Sequence, residues 1–232
     1  MNNLAARLAD VRDRIARAAD RARRDPSRIR LVSVSKTFGA ADVRAAALAG
    51  QVDFGENKVQ EAQQKREETA DLALRWHFIG HLQSNKAAKA AALFDVIHSI
   101  DEAGLVRKID AAAAAAGRSL ELLVQVDLAG EATKHGAREA DLPAIFEAAR
   151  GCTAVRLTGL MTLPPATEEA EDARPWFREL VNCRERLLAS GIEPSTLDEL
   201  SMGMSHDYEI AIEEGSTIVR VGTAIFGSRP LV

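Results

Sequence analysis

Arg30-Leu31-Val32-Ser33-Val34-Ser35-Lys36 decides how the chain is read. Leu31, Val32 and Val34 make a short, β-rich apolar run of the kind that is buried on both faces of a parallel sheet. The run stops at Lys36, and Thr37-Phe38-Gly39 then turns the backbone. In a parallel barrel the carboxyl ends of the strands form the rim of the active site. A lysine raised there from an apolar floor is desolvated, which lowers its pKa and makes its amine a usable nucleophile. Taken alone, Lys36 is better read as a solvated strand-end lysine, so the rest of the chain has to decide.

Downstream, helical and strand patterns alternate. Helices are expected over 41–50, 57–73, 84–92, 102–116, 141–150 and 207–214, with a longer one presenting Phe177, Leu180, Val181, Leu187 and Leu188 on one face. The alanines at 111–116 favour helix and not a disordered tract. Strands are expected over 52–54, 75–79, 95–99, 121–126, 156–160, 197–200 and 217–221. With the first run, this is the arithmetic of a (β/α)8 barrel, a doubly wound open sheet being the alternative. No Pro, Gly or Ser-rich linker divides residues 1–232, so one domain is expected. Leu4, Leu8, Val11 and Ile15 fall at helical spacing and add an amphipathic amino-terminal helix. Its arginines alternate with Asp10, Asp13 and Asp20, which argues against a transit peptide. They read as a solvated face.

The 232 residues carry a net charge of −4 and a pI near 5.8, so no global basic field recruits nucleic acid or an anionic membrane. No apolar run reaches the length of a membrane span. Cys152 and Cys183 lack metal-type spacing, and a reduced, cytoplasmic setting is expected. His77 and His81 sit four apart, but Gly80 opposes the helical face that a zinc pair needs. His98, His135 and His206 read as scattered, so no metal site is expected.

The last two strand ends suit an anion. Ser201-Met202-Gly203-Met204-Ser205 follows the seventh strand, and the eighth runs into Arg220-Val221-Gly222-Thr223. Barrels frequently bind phosphate with these two loops. Gly203 and Gly222 would let backbone N–H groups approach, Ser201 and Thr223 would add hydroxyl donors, and Ser205 would cap the next helix. A lysine after strand one and a phosphate cradle after strands seven and eight would hold the two ends of one small carbonyl compound. Pyridoxal 5′-phosphate, held as an imine on Lys36, fits this requirement. A phosphorylated sugar aldehyde fits it too.

Several motifs occur in order along nearly the whole chain: Val34-Ser35-Lys36-Thr37, Phe54-Gly55-Glu56-Asn57-Lys58-Val59-Gln60-Glu61, His77-Phe78-Ile79-Gly80-His81-Leu82-Gln83-Ser84-Asn85-Lys86, Gly159-Leu160-Met161-Thr162, Ser201-Met202-Gly203-Met204-Ser205 and Arg220-Val221-Gly222-Thr223. Together they resemble the YggS/PROSC family of pyridoxal phosphate homeostasis proteins. The resemblance implies a TIM barrel like the amino-terminal domain of alanine racemase (PLP fold type III), with the cofactor on Lys36. By position it implies Asn57 as a cofactor neighbour, Ser201, Gly222 and Thr223 as phosphate ligands, and Arg220 facing the pyridine nitrogen. It further implies a carrier that buffers or delivers cofactor to apo-enzymes without robust catalysis, a racemase of low activity being the alternative. A monomer is expected.

Asp127 stands where the family more often has Asn, which bears on the polarity of the strand-five rim. His206 and Tyr208 receive no role, and Lys58, Lys86 and above all Lys134 are secondary lysine candidates. Racemisation in alanine racemase uses a tyrosine from an additional carboxyl-terminal domain. This chain ends at Val232, just after the eighth strand, so no such base is expected.

Overall fold

Each apolar run becomes a strand because it is covered twice, by the barrel interior on one side and by a helix on the other. The computed structural model describes residues 4–130 and 135–228. Its strands are β1 (Arg30–Val34), β2 (Asp53–Glu56), β3 (Arg75–Phe78), β4 (Val96–Ile100), β5 (Leu120–Gln125), β6 (Val155–Met161), β7 (Glu199–Ser201) and β8 (Ile218–Val221). All neighbours are parallel, and β8 pairs with β1 to close the barrel. This is the expected (β/α)8 architecture; the open sheet is excluded by that closure.

The helices are α1 (Leu4–Arg21), α2 (Ala40–Leu48), α3 (Val59–Glu68), α4 (Ala87–Leu93), α5 (Ala103–Ala115), α6 (Leu142–Arg150), α7 (Arg174–Ala189), α8 (Tyr208–Glu213) and α9 (Thr223–Phe226). α3 is shorter than its pattern: Thr69 leaves the helical conformation with φ of −123°, and its hydroxyl donates to the Lys65 carbonyl. α9 was not anticipated; four residues are too few to show a period. No helix among the described residues is long and apolar enough to cross a membrane. Cys152 and Cys183 are both free thiols.

Register determines what meets at the barrel mouth. Ser33 of β1 lies opposite Val221 of β8, so the residues after these strands, Lys36 on one side and Gly222-Thr223 on the other, emerge side by side. The interior carries an apolar plug of Val32, Val96, Leu123, Met161 and Ile218, and most of the remaining core lies between strands and helices.

α1 buries Leu4, Leu8, Val11, Ile15, Ala18 and Ala19. Its basic residues are not simply a solvated face. Arg7 Nε donates to the Ile225 carbonyl at 2.6 Å, Arg12 reaches the carbonyls of Ala49 and Gly50, and Arg14 and Arg21 pair with Glu209 of α8. Helical spacing reveals the apolar stripe of α1, but the carbonyls and carboxylates its arginines meet are remote in sequence.

β6 and β7 approach more closely than any side chain at Gly159 would permit. A Cβ there would fall 1.8 Å from the Glu199 carbonyl oxygen, which is rigid backbone. Gly159→Ala is therefore expected to strain the β6–β7 seam and lower stability by about 1–3 kcal/mol or more, read as a fall in the urea midpoint with an unchanged m-value.

Candidate functional site

A cavity of about 540 Å³ opens at the carboxyl ends of the strands. Lys36, Asn57, Arg220, Gly222 and Thr223, five of the six residues expected from the sequence, lie on its wall. Lys36 is half-buried and is the only lysine among the described residues that lines it.

The backbone leading to Lys36 is pinned from behind. Ser35 Oγ donates to Glu56 Oε1 at 2.6 Å, while Lys65 Nζ donates to the same carboxylate at 2.6 Å and to the Ser35 carbonyl at 2.8 Å. Glu56 and Lys65 are both buried. Burial pushes the Glu56 carboxyl upward, and Lys65 opposes the shift. Thr37, immediately after the lysine, has φ of 71°, a left-handed conformation that is strained for a β-branched residue. Lys36 thus sits between a fixed strand end and a constrained turn.

Across the cavity, Gly222 N–H donates to Ser205 Oγ at 3.1 Å and Ala224 N–H at 3.4 Å. A hydroxyl oxygen therefore occupies the place where these amides would meet an anion. Ser205 was expected as a helix cap; instead it reaches over to β8, and Asp207 Oδ1 closes the β7 loop by accepting from Met204 N–H at 2.6 Å. Gly203, expected from its position to let an anion approach, is not among the residues lining the cavity. Its φ is 93°, and a Cβ would lie 2.6 Å from that of Ala211, so it is needed for packing against α8.

Ser201, the sixth expected residue, is absent from the wall. It is fully buried, and its Oγ accepts from Arg220 Nη1 at 2.6 Å and contacts His98 Nδ1 at 2.9 Å. These bonds engage its hydroxyl behind Arg220, while Ser205 lines the cavity. Arg220 Nη2 donates to the Thr162 carbonyl at 2.9 Å. The guanidinium is almost fully buried, and burial, partly offset by Asp207, pulls its pKa down to about 10; it stays charged at neutral pH.

Behind Ser201 the bonds continue. His98 Nε2 meets His77 Nδ1 at 2.9 Å, and His77 Nε2 meets Asp53 Oδ1 at 2.9 Å. His77 is wholly buried and bonded at both ring nitrogens. His98, which read as scattered, belongs to the same chain.

At the rim, Gln125 reaches the cavity and donates to the His135 carbonyl at 2.5 Å. His81 and His135 stack with ring centroids 3.5 Å apart and an 8° interplanar angle, and Asp101 lies beside them. Face-to-face rings hold their nitrogen lone pairs parallel, not convergent on one ion. His206 also lines the cavity. Asp127 turns away and accepts from Ala129 and Gly130 N–H groups. Tyr208 is buried against α1, under Arg14, with its phenol pushed up to about 12 by burial. Lys58 is exposed and pairs with Glu61, Lys86 is off the wall, and Lys134 lies outside the described residues.

The sequence profile of the family described as "Alanine racemase, N-terminal domain" matches residues 7–230. A pyridoxal phosphate homeostasis protein from Pseudomonas aeruginosa is 45% identical over 229 residues, covering 99% of this chain and 97% of that protein. PipY of Synechococcus elongatus, solved with PLP bound, superposes with a TM-score of 0.86 at 40% identity over 97% of this chain and 100% of its own. Alanine racemase of Clostridium difficile, at 16% identity, shares the fold with a TM-score of 0.72 over 100% of this chain and 58% of its own.

The two buried histidines make stability depend on pH. Burial lowers both His77 and His98, the latter well below 6.5. Unfolding exposes imidazoles that bind protons the folded state excludes, so stability is full above pH 6.5 and falls as the pH drops below it. Each proton contributes a slope of up to about 1.4 kcal/mol per pH unit. Glu56, Asp101 and Asp207, shifted upward by burial, act in the opposite sense nearer the carboxylate range. Urea titrations between pH 7.5 and about 5.5 should show falling stability, and His98→Phe should flatten the slope.

Proposed function

The chain belongs to the family of pyridoxal phosphate homeostasis proteins built on the alanine racemase amino-terminal fold, and from that premise we propose that it holds pyridoxal 5′-phosphate as a Schiff base on Lys36 and buffers or delivers this cofactor. The observation that carries the proposal is the cavity itself. It joins a single described lysine to a set of neutral anion donors, and a buried guanidinium shares its wall.

The residues suit the group. Gly222 and Ala224 N–H groups, now directed at Ser205 Oγ, together with the hydroxyls of Ser205 and Thr223, would hold the phosphate. Asn57 would flank the ring, and Arg220 would face the ring nitrogen. Bound there, the cofactor supplies an electrophilic carbonyl carbon and, in enzymes that exploit it, an electron sink.

Arg220 argues for a carrier. Guanidinium donates hydrogen bonds but does not readily give up a proton, so it leaves the ring nitrogen unprotonated and the sink weak. Tyr208, the chain's only tyrosine, is packed in the core and offers no base to the cavity. The reading extends to a single-domain, monomeric protein of the cytoplasm that hands cofactor to apo-enzymes. His81, His135 and His206 on the wall are the observation that favours the second reading, a racemase of low activity.

Lys36→Ala is expected to remain folded, because the side chain is half-buried at a rim, and to lose the Schiff-base absorbance and the borohydride-fixed mass adduct. A full adduct in the variant would place the attachment on another lysine. Incubating the loaded protein with L-alanine in D2O separates carrier from racemase. Negligible α-deuteration is expected, whereas turnover at roughly 1 per second or faster would make the protein an enzyme.

A further inference from the structure

Asp53, His77, His98, Ser201 and Arg220 form one continuous hydrogen-bonded chain with successive contacts of 2.9, 2.9, 2.9 and 2.6 Å. It begins at Asp53, the first residue of β2, on the amino-terminal face of the barrel. It crosses the interior between β4 and β7, which are not neighbours in the sheet, and ends at Arg220 in the cavity wall. The Asp53 side chain retains 20% exposure, while His77 is wholly buried.

The direction of the chain follows from its ends. Arg220 can only donate, so Ser201 Oγ accepts from it. Asp53 is an acceptor: burial acts to raise its carboxyl, but the bond from His77 and the nearby Arg30 and Arg75 outweigh this and hold it below the usual range. His77 must then carry its proton on Nε2, leaving Nδ1 to accept from His98 Nε2–H. His98 Nδ1 in turn accepts the Ser201 proton. Every member is satisfied with both imidazoles neutral. The reverse order leaves His77 Nε2 facing a carboxylate with no proton between them.

We propose that Asp53, His77 and His98 are positioning residues, a polarised relay that commits the Ser201 hydroxyl away from Arg220 and so fixes how the guanidinium is presented to the ring nitrogen of the cofactor. The link to the cofactor rests on the function proposed above; the polarity of the relay does not. Arg30, Arg75 and Asp207 are the other charged groups bearing on its members.

Nitrogen-15 NMR of histidine-labelled protein without cofactor tests the polarity. His77 and His98 are expected as neutral Nε2–H tautomers from pH 6 to 8. An Nδ1–H tautomer at either, or titration near 6.5, overturns the relay. Asp53→Asn tests the coupling, since its amide can donate or accept and removes the bias. Mixed tautomers at both histidines are expected, with pyridoxal phosphate retained on the order of fivefold less tightly or worse and the bound absorbance shifted, while Asp53→Glu restores all three. Altered tautomers with unchanged affinity and absorbance would refute the positioning role. A wild-type protein that takes up no pyridoxal phosphate would sink the proposed function and the positioning role together, while the apo-protein tautomers would still decide the polarity.

Discussion

A guanidinium buried with only neutral direct acceptors constrains the rest of this barrel. Arg220 meets Ser201 Oγ and the Thr162 carbonyl, and Asp207 is the acid that offsets its burial. Leaving water is expensive for a charge unless its donors are satisfied. Its acceptors come from β7, which pairs directly with β8, and from the residue after β6, the next strand along. Closure of the sheet into a barrel is what the polar chain behind Ser201 depends on, because it sets β4 across the interior from β7.

Closure is weakest where the cavity needs it most. β7 has three residues, and its ladder with β8 registers through the single pair Ser201 and Ile218. Side chains compensate: Ser216 Oγ lies within hydrogen-bonding distance of the Leu200, Met202 and Ile218 carbonyls, and Thr217 Oγ1 accepts from Leu200 N–H. From outside, α1 grips the same quarter through Arg7 on α9 and Arg14 on α8. A short strand leaves room for the β7 loop to fold over the cavity, and the amino-terminal helix reinforces the barrel outside it.

Alternation made the eight strands and the place of Lys36 legible, because burial on two faces leaves a compact apolar signature. Gly222 and Thr223 were legible for the same reason, being the residues just beyond an unmistakable run. The choice between Ser201 and Ser205 was not. Both flank a glycine after β7, and which one faces the cavity depends on where that short strand ends. The histidine chain was hidden more deeply. His77 and His98 lie 21 residues apart and meet through their side chains, and His98 reaches Ser201 across the barrel. Such proximity leaves no periodic trace. Resemblance supplied the role of Arg220, but only the contacts reveal what holds it.

The donor set also bears on whether cofactor is kept or given up. Lys36 and Arg220 are the only lysine or arginine side chains among the described residues lining the cavity, and Arg220 is held by Ser201 and Thr162. A phosphate held as proposed would meet amides and hydroxyls and no dedicated lysine or arginine. Hydrogen bonds to a charged group contribute about 1.5–3 kcal/mol each, enough to orient the phosphate but without an opposite charge to lock it. Under the proposed function, firm retention would then fall to the Schiff base with Lys36, which forms and hydrolyses reversibly. A catalyst that must never lose its cofactor would gain from a phosphate clamped by arginine. A protein that both collects and surrenders it is better served by the proposed arrangement, in which one reversible covalent bond would govern release.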